Sequence, residues 1–405
     1  MHNKENWKKV FAIIWAGQSI SILSSALVGY AVIFWLSIET GSAETLALAA
    51  IAGMLPQSVL GLFVGVYIDR WDRKRTMIFA DSFIALCTLL LALLFWLDVA
   101  ELWHVYVLLA CRSAGCAFHN PAMQASVPLL APESQFTRIA GVNQVLQSFS
   151  CIAGPALGAL LLAIIDIGDI LLLDVAGAAF ACITLLFVHI PNPTRPNTHI
   201  PNIRRELREG ASAILHVRGM GLMFASAICV LFFVMPVGVL FPLMTLQHFG
   251  GGVYEMSLIE TVWGGGALMG GLVMGLRNYR TNKVLLINLM YLLVGVTFVL
   301  SGLLPVEGFV FFALLTTAAG VSSSIFTASF ISVVQLRIAP ELLGRVLSLY
   351  SGLSLMPAML GLLGTSLLAE HVGLTTTFLV AGAAILVIGI LGLFSRSMRA
   401  LGENQ

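Results

Sequence analysis

The chain has 405 residues, 59% of them hydrophobic and 10% charged, with a mean hydropathy of +0.96 and a net charge of +1. A soluble globule carries about 25% charged and roughly 45–50% apolar residues, so these figures exclude a water-solvated fold, a disordered chain and a disulfide-rich secreted module. Near-neutral charge excludes the basic footprint of a nucleic-acid binder, and six cysteines scattered through apolar stretches without a C-x-x-C pair read as buried thiols, not as a metal site or disulfide framework.

About 20 apolar residues cross a roughly 30 Å hydrocarbon core. Windows of that size predict twelve transmembrane helices, over Phe11–Leu36, Ala47–Ile68, Met77–Leu97, Trp103–Pro121, Val142–Ile165, Ile170–Ile190, Leu222–Leu246, Met256–Leu276, Val284–Leu304, Phe309–Ile331, Val346–Ala369 and Thr375–Ser395. The fold class expected is an all-α polytopic membrane protein, since no run shows the period-two alternation of a barrel strand. The first window is longer than a signal-peptide core and has no convincing cleavage site, so it is read as a span. Twenty of the 21 lysines and arginines fall in the two termini and the loops of one side. The positive-inside rule therefore places both termini in the cytoplasm, with the chain in the cell inner (plasma) membrane.

Span one carries Gln18 and Ser19, with Ser21, Ser24 and Ser25 behind them. Such serines either bond back to the i−4 carbonyl and allow close packing, or line a substrate cavity with Gln18. The loop after span two reads GVYIDRWDRKR, Gly65 to Arg75. Gly65 permits close helix approach, and Asp69 beside Arg70, Arg73 and Lys74 reads as an ion-pair latch, because charge-based anchoring alone needs no carboxylate. An ionisable group at a helix centre costs about 2.5–3.5 kcal/mol, so each one needs a reason. Asp81 lies over a turn into span three. Arg112 lies midway along span four and needs a carboxylate, a ring of carbonyls or water. His119, further along, reads as a hydrogen-bonded structural histidine.

In span five, Gly154-Pro155-Ala156-Leu157-Gly158 removes side-chain bulk and one backbone hydrogen bond, which bends the helix and admits a close neighbour. Span eight, with Gly264, Gly265, Gly266, Gly270 and Gly271, is the expected one. Asp174 and Glu260 lie about a turn into spans six and eight from the outer side. Either they snorkel to the interface, or they bind and release a proton as a cavity changes sides. Phe233 and Trp263 are candidate walls of an apolar drug cavity, or packing residues.

The longest connection begins PNPTRPN and then offers apolar residues at helical spacing over Ile203–Val217. It is either a helix on the membrane face or a solvated linker. The expected organisation is an N-terminal six-helix half (1–190), a linker (191–221) and a C-terminal six-helix half (222–405). Ala131-Pro132-Glu133 recurs as Ala339-Pro340-Glu341, 208 residues later, and Gly65 as Gly275, 210 residues later. Such duplicated halves hold substrate between them near the bilayer midplane in secondary transporters.

The Gly65–Arg75 loop resembles the signature of the major facilitator superfamily, G-x-x-x-D-R-x-G-R-K, with Asp72 in place of its glycine. Gly154, Pro155 and Gly158 resemble the G-P-x-x-G motif of its antiporter branches. Span four departs from the superfamily pattern, with Gly115 three residues after Arg112 where a glycine four later is usual. Through WAGQSISILSSAL, AFHNPAMQASVPLLAPE and LLGRVLSL the whole chain is similar to the drug:proton antiporters, and among them to the bacterial macrolide-efflux (Mef-type) proteins. The resemblance implies two pseudo-symmetric six-helix halves, with Asp69 and Arg73 locking one conformation. It implies export of an amphipathic drug, a macrolide antibiotic, by proton antiport through alternating access. Tetracyclines, a siderophore or another metabolite are the alternative cargoes, and a non-transporting sensor or scaffold is disfavoured by the intramembrane charges. No G-x-x-x-x-G-K-[ST], H-E-x-x-H or G-x-S-x-G occurs, so neither an enzyme nor built-in ATP drive is expected. The expected partners are a small-molecule drug, protons and lipid, with no cofactor, metal or nucleic acid. A monomer is expected, and a separate ATPase partner is left open.

Overall fold

The computed structural model describes residues 7–68, 71–132, 135–188, 190, 203–276 and 282–403. These form fifteen helices, with no strand among the described residues. In an apolar solvent every backbone N–H and C=O must find its partner within the chain, and a helix achieves this within a single segment. Twelve helices have twenty residues or more: α1 (Trp7–Thr40), α2 (Ala43–Ile68), α3 (Arg73–Trp96), α4 (Leu102–Leu130), α5 (Phe136–Leu162), α6 (Ile167–Leu186), α8 (Met220–Val239), α10 (Val253–Leu276), α11 (Lys283–Leu303), α12 (Phe309–Arg337), α13 (Pro340–Val372) and α14 (Leu374–Phe394). Eleven are apolar enough throughout to count as spans on hydropathy alone. The remaining one, α4, has the length at 29 residues but carries Arg112, His119 and Asn120. The one span that hydropathy alone does not pick out is the one that holds Arg112, whose side chain is 12% exposed.

Polarity is arranged for lipid. Phe79, Phe187 and Phe394 are 75%, 81% and 73% exposed, whereas Asp174, Thr88 and Ser322 are fully buried. Bulky apolar side chains face outward and small or polar ones face the neighbouring helices, where close packing and hydrogen bonds take over from the hydrophobic effect. The six cysteines are free, with Cys87 buried and Cys229 exposed, so the thiols are not uniformly interior.

Three features depart from the predicted spans. The seventh breaks at Leu240 into α8 and the short α9 (Phe241–Gln247), because Pro236 and Pro242 supply no backbone N–H to the helix ladder. The fourth continues to Leu130, well past Pro121. A terminal helix, α15 (Arg396–Glu403), follows the last span, with Met398 and Leu401 buried and Arg337 Nη2 donating to the Leu401 carbonyl at 2.7 Å. The linker segment forms α7 (Ile203–His216), which packs on α13. There Gly210 brings it against the Arg345 backbone, and Glu209 pairs with the Arg345 guanidinium.

Internal packing divides the chain into two compact units, Met1–Leu36 with Leu48–Ile200, and Ser37–Ala47 with Pro201–Gln405. The α1–α2 turn groups with the second unit, where Gln247 Nε2 donates to the Gly41 carbonyl. The neighbour pattern is the same in both units. In the first, α3 packs on α4 and α6; in the second, the equivalent α11 packs on α12 and α14. The glycines of α5 lie on α1, and Gly361 of α13 lies on Phe232 of α8.

Candidate functional site

The first unit has a charged interior built by four helices. Asp174 of α6 is fully buried, and its Oδ2 accepts from Arg112 Nη2 of α4 at 2.9 Å and from Thr88 Oγ1 of α3 at 2.8 Å. Its Oδ1 accepts from Ser25 Oγ of α1. A buried ion pair recovers its desolvation cost only when the remaining lone pairs are also satisfied, which Thr88 and Ser25 accomplish. The carboxylate that the Arg112 position demands is therefore Asp174, 62 residues along the chain.

A second polar site lies along the same helices. Asp81 of α3, 4% exposed, has Oδ1 3.2 Å from His119 Nε2 of α4, while Gln18 Nε2 of α1 donates to Oδ2 at 3.4 Å. The Gln18 side-chain oxygen is buried without a hydrogen-bond partner among the described residues. Sequence reasoning missed Thr88 altogether, read Ser25 as a packing or cavity serine and read His119 as structural. One signal points to all three. Gln18 and Ser25, Asp81 and Thr88, and Arg112 and His119 are each seven residues apart, two helical turns, which places each pair on one face about 10.5 Å apart.

The other predicted residues are distributed more widely. Glu260 of α10 makes no ion pair or side-chain hydrogen bond among the described residues. Ser19 Oγ bonds back to the Trp15 carbonyl, which is the local role open to a helical serine. Phe233 is half-buried against Phe232, and the Trp263 ring packs on Phe241 at 5.4 Å. Among the described residues no histidine, cysteine and carboxylate cluster is arranged to hold a metal.

Asp69 and Arg70 lie outside the described residues, and Gly65 falls near the end of α2. Arg73 and Lys74 are engaged within their own unit. Arg73 Nη1 donates to the Ala125 carbonyl at 2.8 Å, and Lys74 Nζ donates to the carbonyls of Leu186 and Val188 at 3.1 and 2.8 Å. Lys74 thus places a cation on the carboxyl end of α6, where the helix dipole is negative. Asp72, which replaces the signature glycine, is the N-cap of α3 and accepts from the Arg75 N–H at 2.9 Å. Asp72→Ala is expected to cost about 1 kcal/mol, read as a lowered melting temperature of the detergent-solubilised protein with transport retained.

In α5, a Cβ on Gly154 would lie 3.1 Å from the Tyr30 ring, and one on Gly158 would lie 2.9 Å from the Leu27 carbonyl oxygen. Those glycines are the seat of α1. Within the second unit, Gly266 and Gly270 of span eight lie against the carbonyls of Thr317 and Val321 on α12. A groove of about 720 Å³ between α3 and α4, lined by Trp71, Arg75, Phe79 and Phe118, opens on the surface of the first unit at the start of α3. None of the residues of the two polar sites lines it.

Apolar helices with outward-facing bulk, a repeated six-span neighbour pattern and buried charge pairs define a multi-pass membrane transporter. A family model described as transmembrane secretion effector, within the major facilitator superfamily, matches residues 7–404, and the chain belongs to that family. It is 37% identical over 391 residues to macrolide efflux protein A of Streptococcus pyogenes, covering 96% of each chain. It is 24% identical over 403 residues to the multidrug efflux pump Tap of Mycobacterium tuberculosis, covering 95% of this chain and 91% of that one. Among solved structures, a POT family transporter in complex with 5-aminolevulinic acid superposes with a TM-score of 0.72 at 14% identity over 96% of each chain, which shows a shared fold.

Proposed function

We propose that this transporter exports amphipathic drugs, macrolide antibiotics foremost, from the cytoplasm across the bacterial inner membrane in exchange for protons. Similarity to macrolide efflux protein A along nearly the whole chain supports the cargo. The observation that carries the coupling is the Arg112–Asp174 pair, an ion pair sealed inside a span bundle with hydroxyl donors on both carboxylate oxygens. Protonating Asp174 neutralises one partner and frees Arg112, so the pair converts proton binding into a change of helix contacts. Glu260, on α10, is the candidate proton carrier of the C-terminal half.

In this reading both termini are cytoplasmic, as the distribution of lysine and arginine demands. Residues 1–190 and 222–405 act as the two alternating halves joined by 191–221. Asp69, Arg70, Arg73 and Lys74 with Gly65 form the latch of one state, and Gly154, Pro155 and Gly158 form a hinge or seal in α5. Gln18, Ser19, Phe233 and Trp263 face the drug during the cycle, and the working unit is a monomer.

The test is accumulation of a labelled 14-membered macrolide in a drug-sensitive bacterium with and without the protein. Low accumulation, restored to control by a protonophore, is the expected result. Glu260→Gln is expected to abolish export while the protein remains in the membrane. Unchanged accumulation despite confirmed membrane expression overturns the cargo assignment and directs the search to tetracyclines and siderophores.

A further inference from the structure

We propose that Asp81, His119 and Gln18 form a second proton-binding station, two helical turns to the cytoplasmic side of the Arg112–Asp174 pair, from which the proton leaves into the cell. The proposal rests on the proton-antiport reading and adds a site to it.

The geometry sets the two stations apart by chemistry. Around Asp174 the cation is a guanidinium, which stays charged at every working pH, and the other partners are hydroxyl donors. Around Asp81 the partner at 3.2 Å is an imidazole, the side chain that gains and loses its proton between about pH 5 and 8. Gln18 suits such a site. Its N–H₂ faces Asp81 Oδ2 while its own oxygen is buried and unpartnered among the described residues. Leaving that acceptor unpaired carries its full desolvation penalty. A half-turn of the amide presents the oxygen instead, ready to accept from a protonated Asp81, so one side chain serves both protonation states.

The stations share α1, α3 and α4, each of which contributes one residue to both. Counting from Arg73 at the start of α3, Asp81 lies about 12 Å along the helix. It is therefore the nearer of the two carboxylates to the basic, cytoplasmic surface. The titratable groups that face Asp81 from the packed helices, besides His119, are Cys116 on α4 and Cys182 on α6, with the charged Arg112 and Asp174 lying beyond Cys116. Asn120, on α4, also reaches His119, and Ser82 of α3 contacts Cys182. A separation of about 10.5 Å is too long for one hydrogen bond, so the proton crosses between stations through intervening water. It is held by the pair, as imidazolium beside the Asp81 carboxylate or as the Asp81 acid facing the turned Gln18 amide, and is given up to cytoplasmic water as carboxylate and neutral imidazole re-form. No other bond changes.

The experiment uses inside-out membrane vesicles containing the full chain, with an interior-acid pH gradient followed by a fluorescent amine and a 14-membered macrolide as the driver. Macrolide-induced collapse of the gradient by the wild type is the baseline. Its absence overturns the antiport reading itself. With coupling present, the pH of the bath, which is the cytoplasmic face, is varied. Wild-type proton flux is expected to pass through one titration step as the bath pH is varied, and His119→Gln and Asp81→Asn are expected to lose that step at equal membrane levels. An unchanged profile in His119→Gln overturns the second station and leaves antiport intact. Where either variant loses all flux or fails to reach the membrane, Gln18→Leu decides, since it keeps both ionisable groups. A displaced step supports the station, and a step at the wild-type position refutes it.

Discussion

Arg112→Leu is expected to lose transport and to drop out of the membrane at the growth temperature. The substitution leaves the Asp174 carboxylate in a fully buried position with only Ser25 and Thr88 to bond it. Removing one partner of a buried pair costs about 3–5 kcal/mol, because the survivor keeps its desolvation penalty without its counter-charge. Replacing both charges separates the structural role from the functional one. Arg112→Met with Asp174→Leu exchanges an ion pair for apolar packing, a change that is often neutral or stabilising by about 1–4 kcal/mol. The double variant is expected to recover membrane level and melting temperature, read by fluorescence-detected gel filtration, and to remain inactive in drug accumulation. Recovery of transport along with stability would show the pair to be packing alone.

Gly266→Leu carries the second large effect. A side chain there meets the backbone carbonyl of Thr317, and Gly320 on the facing helix lies equally close to the Trp263 carbonyl. Neither contact can be relieved by a rotamer change, since both partners are main chain. Overpacking of this kind costs typically about 1–3 kcal/mol where a side chain can yield, and more where it cannot. The expected outcome is separation of α10 from α12, with loss of folded protein on extraction into detergent. The neighbouring Gly265 has nothing within 4 Å of its would-be Cβ, so Gly265→Ala is expected to leave melting temperature and transport unchanged. Equal damage from both substitutions would place the sensitivity outside the α10–α12 contact, since alanine and leucine are both better helix formers than glycine.

The spans are legible because lipid imposes one rule on every residue of a helix, and a hydropathy window reads that rule directly. The α7 helix is legible from its spacing, and Arg112 announces its own need for a carboxylate. Which carboxylate is not legible. Asp174 reaches Arg112 across helices, and no local pattern encodes a contact 62 residues away. His119 on its own reads as a structural histidine, since nothing local distinguishes it until Asp81 is placed beside it. The break at Leu240 is hidden because α8 and α9 are both apolar, and a hydropathy window does not register a missing N–H. Asp72 reads as a departure from the signature. As an N-cap it is instead a different local solution, satisfying the first turn of α3 with a side chain where the family pattern has a glycine.

Charge is also distributed unequally between the two units. Beyond the first and last two turns of its spans, the first unit carries Asp81, Arg112, His119 and Asp174, whereas among the described residues the second carries Glu260. An electric field does work only on charge. Across a membrane held at 100 mV, one elementary charge moved the full distance gains about 2.3 kcal/mol. The resting voltage of the cell therefore acts mainly on the first unit, and within it most strongly when an odd proton leaves the group of four with a net charge. In the second unit the interior around Phe241, ringed by Trp263, Phe298, Phe312 and Phe378, is aromatic, and Glu260 is the one such charge among the described residues. Voltage thus has its larger handle on the first unit.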